Sequence, residues 1–314
     1  MEEGRSSYRQ IIKATSVFGG VQVFSILINI MRTKIIAVLL GPTGTGIVGL
    51  LNSSTGLISG LTNFGLGTSA VRNVSEANSI NDDLRIGTVV GVIKRLVWIT
   101  GLLGAIVTIV LSPWLSRITF GNSDYTIAFL WLSVTMLLNQ ISSGQTVLLQ
   151  GTRQLKFLAR ASLLGSLAGL IISVPLYYLY GVDGIVPAII ITSLSSLLLS
   201  WYYSSKLKIS RIRVSRRTVL EEGKGMVTMG FMLSISGLIA LGASFILRIF
   251  ISNTGGIDQV GLYNAGFAIV NTYVGMIFTA MSTDYYPRLA GLASDNTRAS
   301  ELINQQSEIA ILVL

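Results

Sequence analysis

Residues 28–52 read INIMRTKIIAVLLGPTGTGIVGLLN. An apolar run closes on Gly41-Pro42, and a second apolar run opens a few residues later. Proline cannot continue a helix and glycine takes up the turn, so the stretch predicts two helices joined at a tight corner. Two cations, Arg32 and Lys34, stand among Ile, Met, Val and Leu before that corner. The rest of the chain repeats the apolar theme. Of its 314 residues 51% are hydrophobic and 12% charged, against about 25% charged in a soluble domain, and the mean hydropathy is +0.67.

A membrane span needs about 20 apolar residues to cross a hydrocarbon core of roughly 30 Å. Eight segments meet that need: 14–40, 43–67, 91–112, 124–149, 158–179, 183–204, 226–252 and 261–286. A ninth begins at SEIAILVL, residues 307–314, and is cut off by the end of the chain. The expectation is an all-α polytopic membrane protein with eight complete transmembrane helices and the start of a ninth, truncated within its second half. The first apolar stretch is too long for a removable signal peptide and is read as a permanent span.

The charges orient the chain. Of 23 Lys and Arg residues, 19 fall in the N-terminal tail and in every second connection. The densest group is Lys206, Lys208, Arg211, Arg213, Arg216, Arg217 and Lys224. The opposite connections carry Arg117 alone, and Arg32, Lys34 and Arg248 lie within spans. By the positive-inside rule the N-terminus is cytoplasmic. Basic residues spread over all the cytoplasmic loops, with no folded module to present them, exclude nucleic acid as a partner. The run KLKISRIRVSRR can touch anionic lipid, or serve only to set topology.

The basic stretch 205–225 divides the chain into a six-helix lobe, 1–204, and a partial second lobe, 226–314, of two helices, an elbow and the start of a third. The second lobe opens like the first. IMR at Ile30–Arg32 returns as ILR at Ile246–Arg248, and VGLLN at Val48–Asn52 returns as VGLYN at Val260–Asn264. An offset of six spans makes the repeats parallel, an arrangement common in transporters with the substrate site between the halves.

Polar residues follow helical stripes. Thr15, Gln22, Ser25, Asn29 and Arg32 fall within a sector roughly 100° wide at about 100° per residue, and Lys34 falls outside it. Asn52, Thr55, Ser59 and Thr62 share a face, as do Asn139, Ser143, Thr146 and Gln150. So do Ser234, Gly237, Ser244 and Arg248, and Asn264, Asn271, Gly275, Thr279 and Ser282. Small and hydroxylated residues also serve helix–helix packing. The amides Gln22, Asn29, Asn52, Asn139, Asn264 and Asn271 suit a wet cavity wall better. Arginine at such depth costs at least about 2.5–3.5 kcal/mol, so it faces a cavity or reaches toward the surface. For Arg32 and Lys34 both readings stand; Arg248 has a stripe and a repeat counterpart on its side. No carboxylate lies deep in any span, so the cavity is cationic and suits an anion, which guanidinium groups clamp bidentately.

Absent residues narrow the chemistry. With no Cys and no His, disulfides, thiol catalysis and a Cys/His zinc site are excluded. No Walker A sequence is present, and GPTGTG at Gly41–Gly46 lacks the Lys-Ser/Thr ending of a phosphate loop. At GNSDY, Gly121–Tyr125, Ser123 or Asp124 is the expected cap of the fourth span. No catalytic set, metal or cofactor is called for, and the protein is not expected to be an enzyme.

Five stretches carry a family resemblance: KIIAVLLGPTGTGIVGLLN (Lys34–Asn52), FGNSDY (Phe120–Tyr125), LLQGTRQLKFLARASLLGSLAG (Leu148–Gly169), YGVDGIVPA (Tyr180–Ala188) and VGLYN…YYPRLAGLA (Val260–Ala293). In this order and spacing they resemble bacterial polysaccharide flippases of the O-antigen, or Wzx, type. The likeness is greatest to O-antigen and enterobacterial common antigen translocases. Their superfamily is that of multidrug/oligosaccharidyl-lipid/polysaccharide (MOP) exporters. The resemblance implies a MATE/MOP-like fold of two six-helix lobes around a cavity, in the bacterial inner membrane. It implies flipping of an undecaprenyl-diphosphate-linked oligosaccharide to the periplasmic leaflet, with the O-antigen polymerase, the chain-length regulator and membrane lipids as partners. Lys34 matches a lysine before the Leu-Leu-Ala…Gly-Pro motif of the common-antigen relatives, and Arg248 an arginine before the outer turn of the seventh helix. Both would engage the diphosphate. Arg32 rests on its stripe alone. The rivals are a lipid II flippase, a drug or cation exporter of the same superfamily, and a non-functional fragment. An exporter of cations would want an acidic residue in the first or seventh span, and neither has one.

Overall fold

The computed structural model describes the backbone of residues 2–80, 82–207, 209, 212, 214–271, 275 and 296–313, and side chains from Phe24 onward except at 83, 296, 306 and 309–313. It forms two units, Met1–Gly261 and Leu262–Leu314.

Among the described residues the chain is helical throughout. Helix α1, Glu2–Thr62, is broken at Gly41 into two arms, 2–40 and 42–62. There Gly41 takes φ 64° and ψ −167°, a region open essentially to glycine alone. Pro42 opens the second arm, where its missing N–H would have had no helical partner. The corner is so tight that a Cβ on Gly44 would fall 2.2 Å from that of Leu40. A short helix, α2, spans Leu66–Ser79. Helices α3 (Asp83–Phe120), α4 (Thr126–Gly151), α5 (Leu155–Tyr180), α6 (Ile185–Ser204) and α7 (Arg216–Gly255) follow. A helix over 257–271, α8, comes next, and α9 is Asn296–Val313.

Five continuous stretches are long and apolar enough to cross a membrane: Phe24–Thr62, Leu84–Phe120, Thr126–Gly151, Leu155–Ser204 and Arg216–Gly255. The first is broken at Gly41 and the fourth at the 3₁₀ turn Gly181–Gly184, so they account for the first seven expected spans. The eighth is helical through residue 271 and again at 275, and the rest of it lies outside the described residues. The last helix starts at Asn296, eleven residues before the apolar stub that announces it.

Three readings need correction. The second span does not run to residue 67. It stops at Thr62, and the chain turns through Phe64 (φ 49°) and Gly65 (φ 63°). The unforeseen α2 then buries Leu66, Ala70, Val74 and Ala77 along one face. The third helix begins at Asp83, ahead of its apolar run, because Asp82 caps it by accepting from the Leu84 and Arg85 N–H groups at 2.9 and 3.1 Å. Neither Ser123 nor Asp124 caps α4. Tyr125 holds the cap position without a side-chain bond. The corner is held from α3 instead, where Ser116 Oγ donates to the Asn122 carbonyl at 2.8 Å and accepts from the Tyr125 N–H at 3.2 Å.

The two sides of the first unit differ. The four connections on one side each turn on a glycine of positive φ, at Gly41, Gly121, Gly181 and Gly256, and on the other side the turn into α2 does so at Gly65. The other connections are those that carry the basic residues. A buried apolar cluster lies toward each side. One joins Ile36, Leu50, Phe129 and Tyr177 near the glycine turns. The other joins Val74, Val92, Val214 and Met226 near the basic connections.

Candidate functional site

The site is built from the two corners that the sequence repeat marks. Gly256 takes φ 86° and ψ 172°, the same backbone conformation as Gly41. The corners also interlock. A Cβ on Gly46 would fall 2.2 Å from the Ile257 carbonyl oxygen, and one on Gly261 would fall 2.0 Å from that of Pro42. Thr43 Oγ1 donates to Asp258 Oδ1 at 2.5 Å across the same contact. These glycines are what GPTGTG and VGLYN supply: backbone against backbone, with no room for a side chain.

From the interlocked corners, α7 runs antiparallel along the second arm of α1. Gly60 packs against Leu238 and Leu241, and Gly65 against Gly230 and Ser234. On α7, residues 234, 238, 241, 245, 248 and 252 recur at helical spacing along this face. The pairings 46 with 257 and 60 with 238–241 place Arg248 level with Asn52. Arg32 precedes its corner glycine by nine residues and Arg248 precedes its own by eight, or roughly 12–14 Å of helix. Two arginines and an asparagine thus share one depth.

Burial separates the three cations. Arg32 and Arg248 are half-buried and Lys34 is exposed. The Arg248 guanidinium donates to the Ser244 carbonyl oxygen at 3.1 Å and to Ser244 Oγ, one turn back on its own helix. Among the described residues neither Arg32 nor Lys34 forms an ion pair; the three present are Arg72–Glu76, Arg85–Glu222 and Arg217–Glu221.

The amides divide in an informative way. On α4 the packing face uses other residues than the stripe does. Gln140 donates to Thr100 at 2.9 Å, Ser142 bonds Ser200 at 3.0 Å, and Ser204 donates to Gln145 at 2.5 Å. Asn139, Ser143 and Gln150 are exposed and Thr146 is half-buried, so these bonds do not account for the stripe. Asn29 and Asn52 are exposed as well. An amide without a protein partner at membrane depth needs water. In the second unit Asn264 is half-buried and Asn271 exposed. The Gln22 side chain lies outside the described residues, as do Thr279 and Ser282. Gln140, on the packed face, and α2 escape the stripe reading; the Leu66, Ala70, Val74, Ala77 spacing is the signal that marks α2.

This fold is similar to that of a multidrug resistance MATE family transporter of the MOP superfamily, solved in an inward-facing conformation. The TM-score is 0.68 at 17% identity, over 92% of this chain and 68% of that one. At that identity the likeness speaks for the fold: an all-α, multi-pass membrane protein of the MATE/MOP type. A family model for polysaccharide biosynthesis proteins matches residues 11–292, and the chain belongs to that family. No curated protein gives a match.

Proposed function

We propose that the protein is a flippase that moves an undecaprenyl-diphosphate-linked oligosaccharide, an O-antigen or related repeat unit, from the cytoplasmic to the periplasmic leaflet of the bacterial inner membrane. The observation that carries this reading is the shared depth of Arg32, Asn52 and Arg248 beneath two interlocked corners, in a chain of the polysaccharide biosynthesis family. Guanidinium groups at that depth, with no carboxylate in the same spans, fit a diphosphate and disfavour a cation. The stripe amides Asn29, Asn52 and Asn139 would hydrogen-bond the sugar. The polyprenyl tail stays in the bilayer. Nothing in this scheme makes or breaks a bond, so the chain transports and does not convert.

In this scheme transport proceeds by alternating access, the lobes rocking about the site. The arginines replace the water and counter-ions that the diphosphate gives up on leaving the interface. Release on the other side requires the interlocked corners to part. Arg248 carries the greatest weight, since stripe, repeat and packing register coincide on it. Lys34 is an exposed point charge two residues beyond Arg32 and would guide the diphosphate instead of clamping it. The membrane lipids, the polymerase and the chain-length regulator are the expected partners.

The test is reconstitution. Proteoliposomes holding the chain should expose an inner-leaflet undecaprenyl-diphosphate glycan to an external lectin faster than protein-free vesicles do. Translocation of organic cations with no acceleration of the glycan lipid would point to an exporter and refute the reading.

A further inference from the structure

A groove between α2 and the start of α7 lies apart from the proposed transport site. Lys224 on its rim is 24 residues from Arg248, or roughly 36 Å along the same helix. The groove is open, holds about 570 Å³, and is graded along its length. Along α7 the lining runs from Lys224 and Thr228 at one end to Met232 and Leu233 at the other, and Arg72 of α2 reaches in between them, its Nη1 3.7 Å from Met229 Sδ. Met232 and Leu233 are 68% and 53% exposed, and the apolar face continues to Ile239, which is 68% exposed. The opposite face of α7 is committed: Gly223 packs on Leu96, and Gly230 on the Phe64 and Gly65 carbonyls.

We propose that this groove is a binding site for one anionic phospholipid, with its phosphate between Arg72 and Lys224 and an acyl chain along Met232, Leu233 and Ile239. The charges favour that ligand. Arg72 shares its Nε with Glu76 at 2.9 Å, and Glu221 on the rim is paired to Arg217 at 2.8 Å. Both are exposed i,i+4 pairs, which contribute little and yield readily to a phosphate. Counting both pairs, Lys224 leaves one positive charge in excess, which matches a monoanionic phosphodiester better than a diphosphate. Arginine adds a planar donor fork that a phosphate oxygen pair fits. Hydrocarbon is the natural neighbour of the exposed apolar end, since the run that follows is the span itself. A lipid held there would brace α2 against α7, the first helix of the second repeat.

The test uses the full chain in detergent, with dioleoyl phosphatidylglycerol and dioleoyl phosphatidylcholine as probes and native mass spectrometry as readout. The wild type should retain one phosphatidylglycerol in preference to phosphatidylcholine. The double variant R72Q/K224Q should bind it at least about tenfold more weakly. Gly225, on the groove wall, has open space for 4 Å around the place a Cβ would take, so Gly225→Phe should block the groove while leaving every charge in place. Equal retention of the two lipids, or undiminished phosphatidylglycerol binding in both variants, would overturn the proposal. So would displacement of phosphatidylglycerol by undecaprenyl diphosphate in the wild type but not in R72Q/K224Q, which would make the groove a station for the transported lipid.

Discussion

Arg32 and Lys34 are two residues apart, yet the structure separates them. Arg32 is half-buried at the depth of Arg248, and Lys34 is exposed and nearer the corner. The flippase reading therefore expects unequal losses. Arg32→Ala should slow glycan-lipid translocation by at least about tenfold, the scale of a charged hydrogen bond of about 1.5–3 kcal/mol. Lys34→Ala should slow it less, and translocation in proteoliposomes reads both. The corner glycines carry a different kind of constraint. Gly41 and Gly256 have open space where a Cβ would go, so alanine there is penalised only by backbone conformation, at about 1–3 kcal/mol each. Gly261→Ala meets the Pro42 carbonyl oxygen instead and should lower thermal stability further than Gly256→Ala. Melting the three variants in detergent gives the order.

At the scale of the element, apolar runs mark the spans well because a hydrocarbon-crossing helix has few alternatives. They mark the helix ends poorly. α3 starts before its apolar run, at the Asp82 cap, and α7 starts at Arg216, where Ser215 accepts from the Thr218 N–H at 3.1 Å. Capping and surface charge set those ends, and neither registers as hydropathy. α2 is hidden for a related reason: its apolar stripe is one residue in three or four within a polar, charged stretch. The corner at Gly41-Pro42 is legible outright, since few other residue pairs can make it. The ion pair between α3 and α7, Arg85–Glu222, is not legible, because its partners are 137 residues apart. With the Arg85 side chain 45% exposed, a double-mutant cycle on R85Q and E222Q should return a coupling of only about 0.2–1 kcal/mol.

Across the whole molecule, the repeat read from two short motifs has a structural counterpart in paired corner glycines of one conformation. What the motifs could not give is that the corners touch. That contact supplies a mechanical prediction. The chain contains no cysteine, so Thr43→Cys with Asp258→Cys introduces the only two thiols, at positions whose side chains are in hydrogen-bond contact. A short, reducible thiol cross-linker should arrest glycan-lipid translocation and a reductant should restore it; transport that persists with the link closed would contradict the parting of the corners.

The central claim is that an anionic, lipid-linked glycan is the cargo and that Arg248 holds it. Complementation of a strain lacking its O-antigen flippase measures this most directly, with surface glycan as the readout and membrane protein level as the control. Arg248→Ala should abolish surface display at an undiminished protein level, and Arg248→Lys, which keeps the charge but loses the donor fork, should restore part of it. Full surface display in the Arg248→Ala strain would contradict the account.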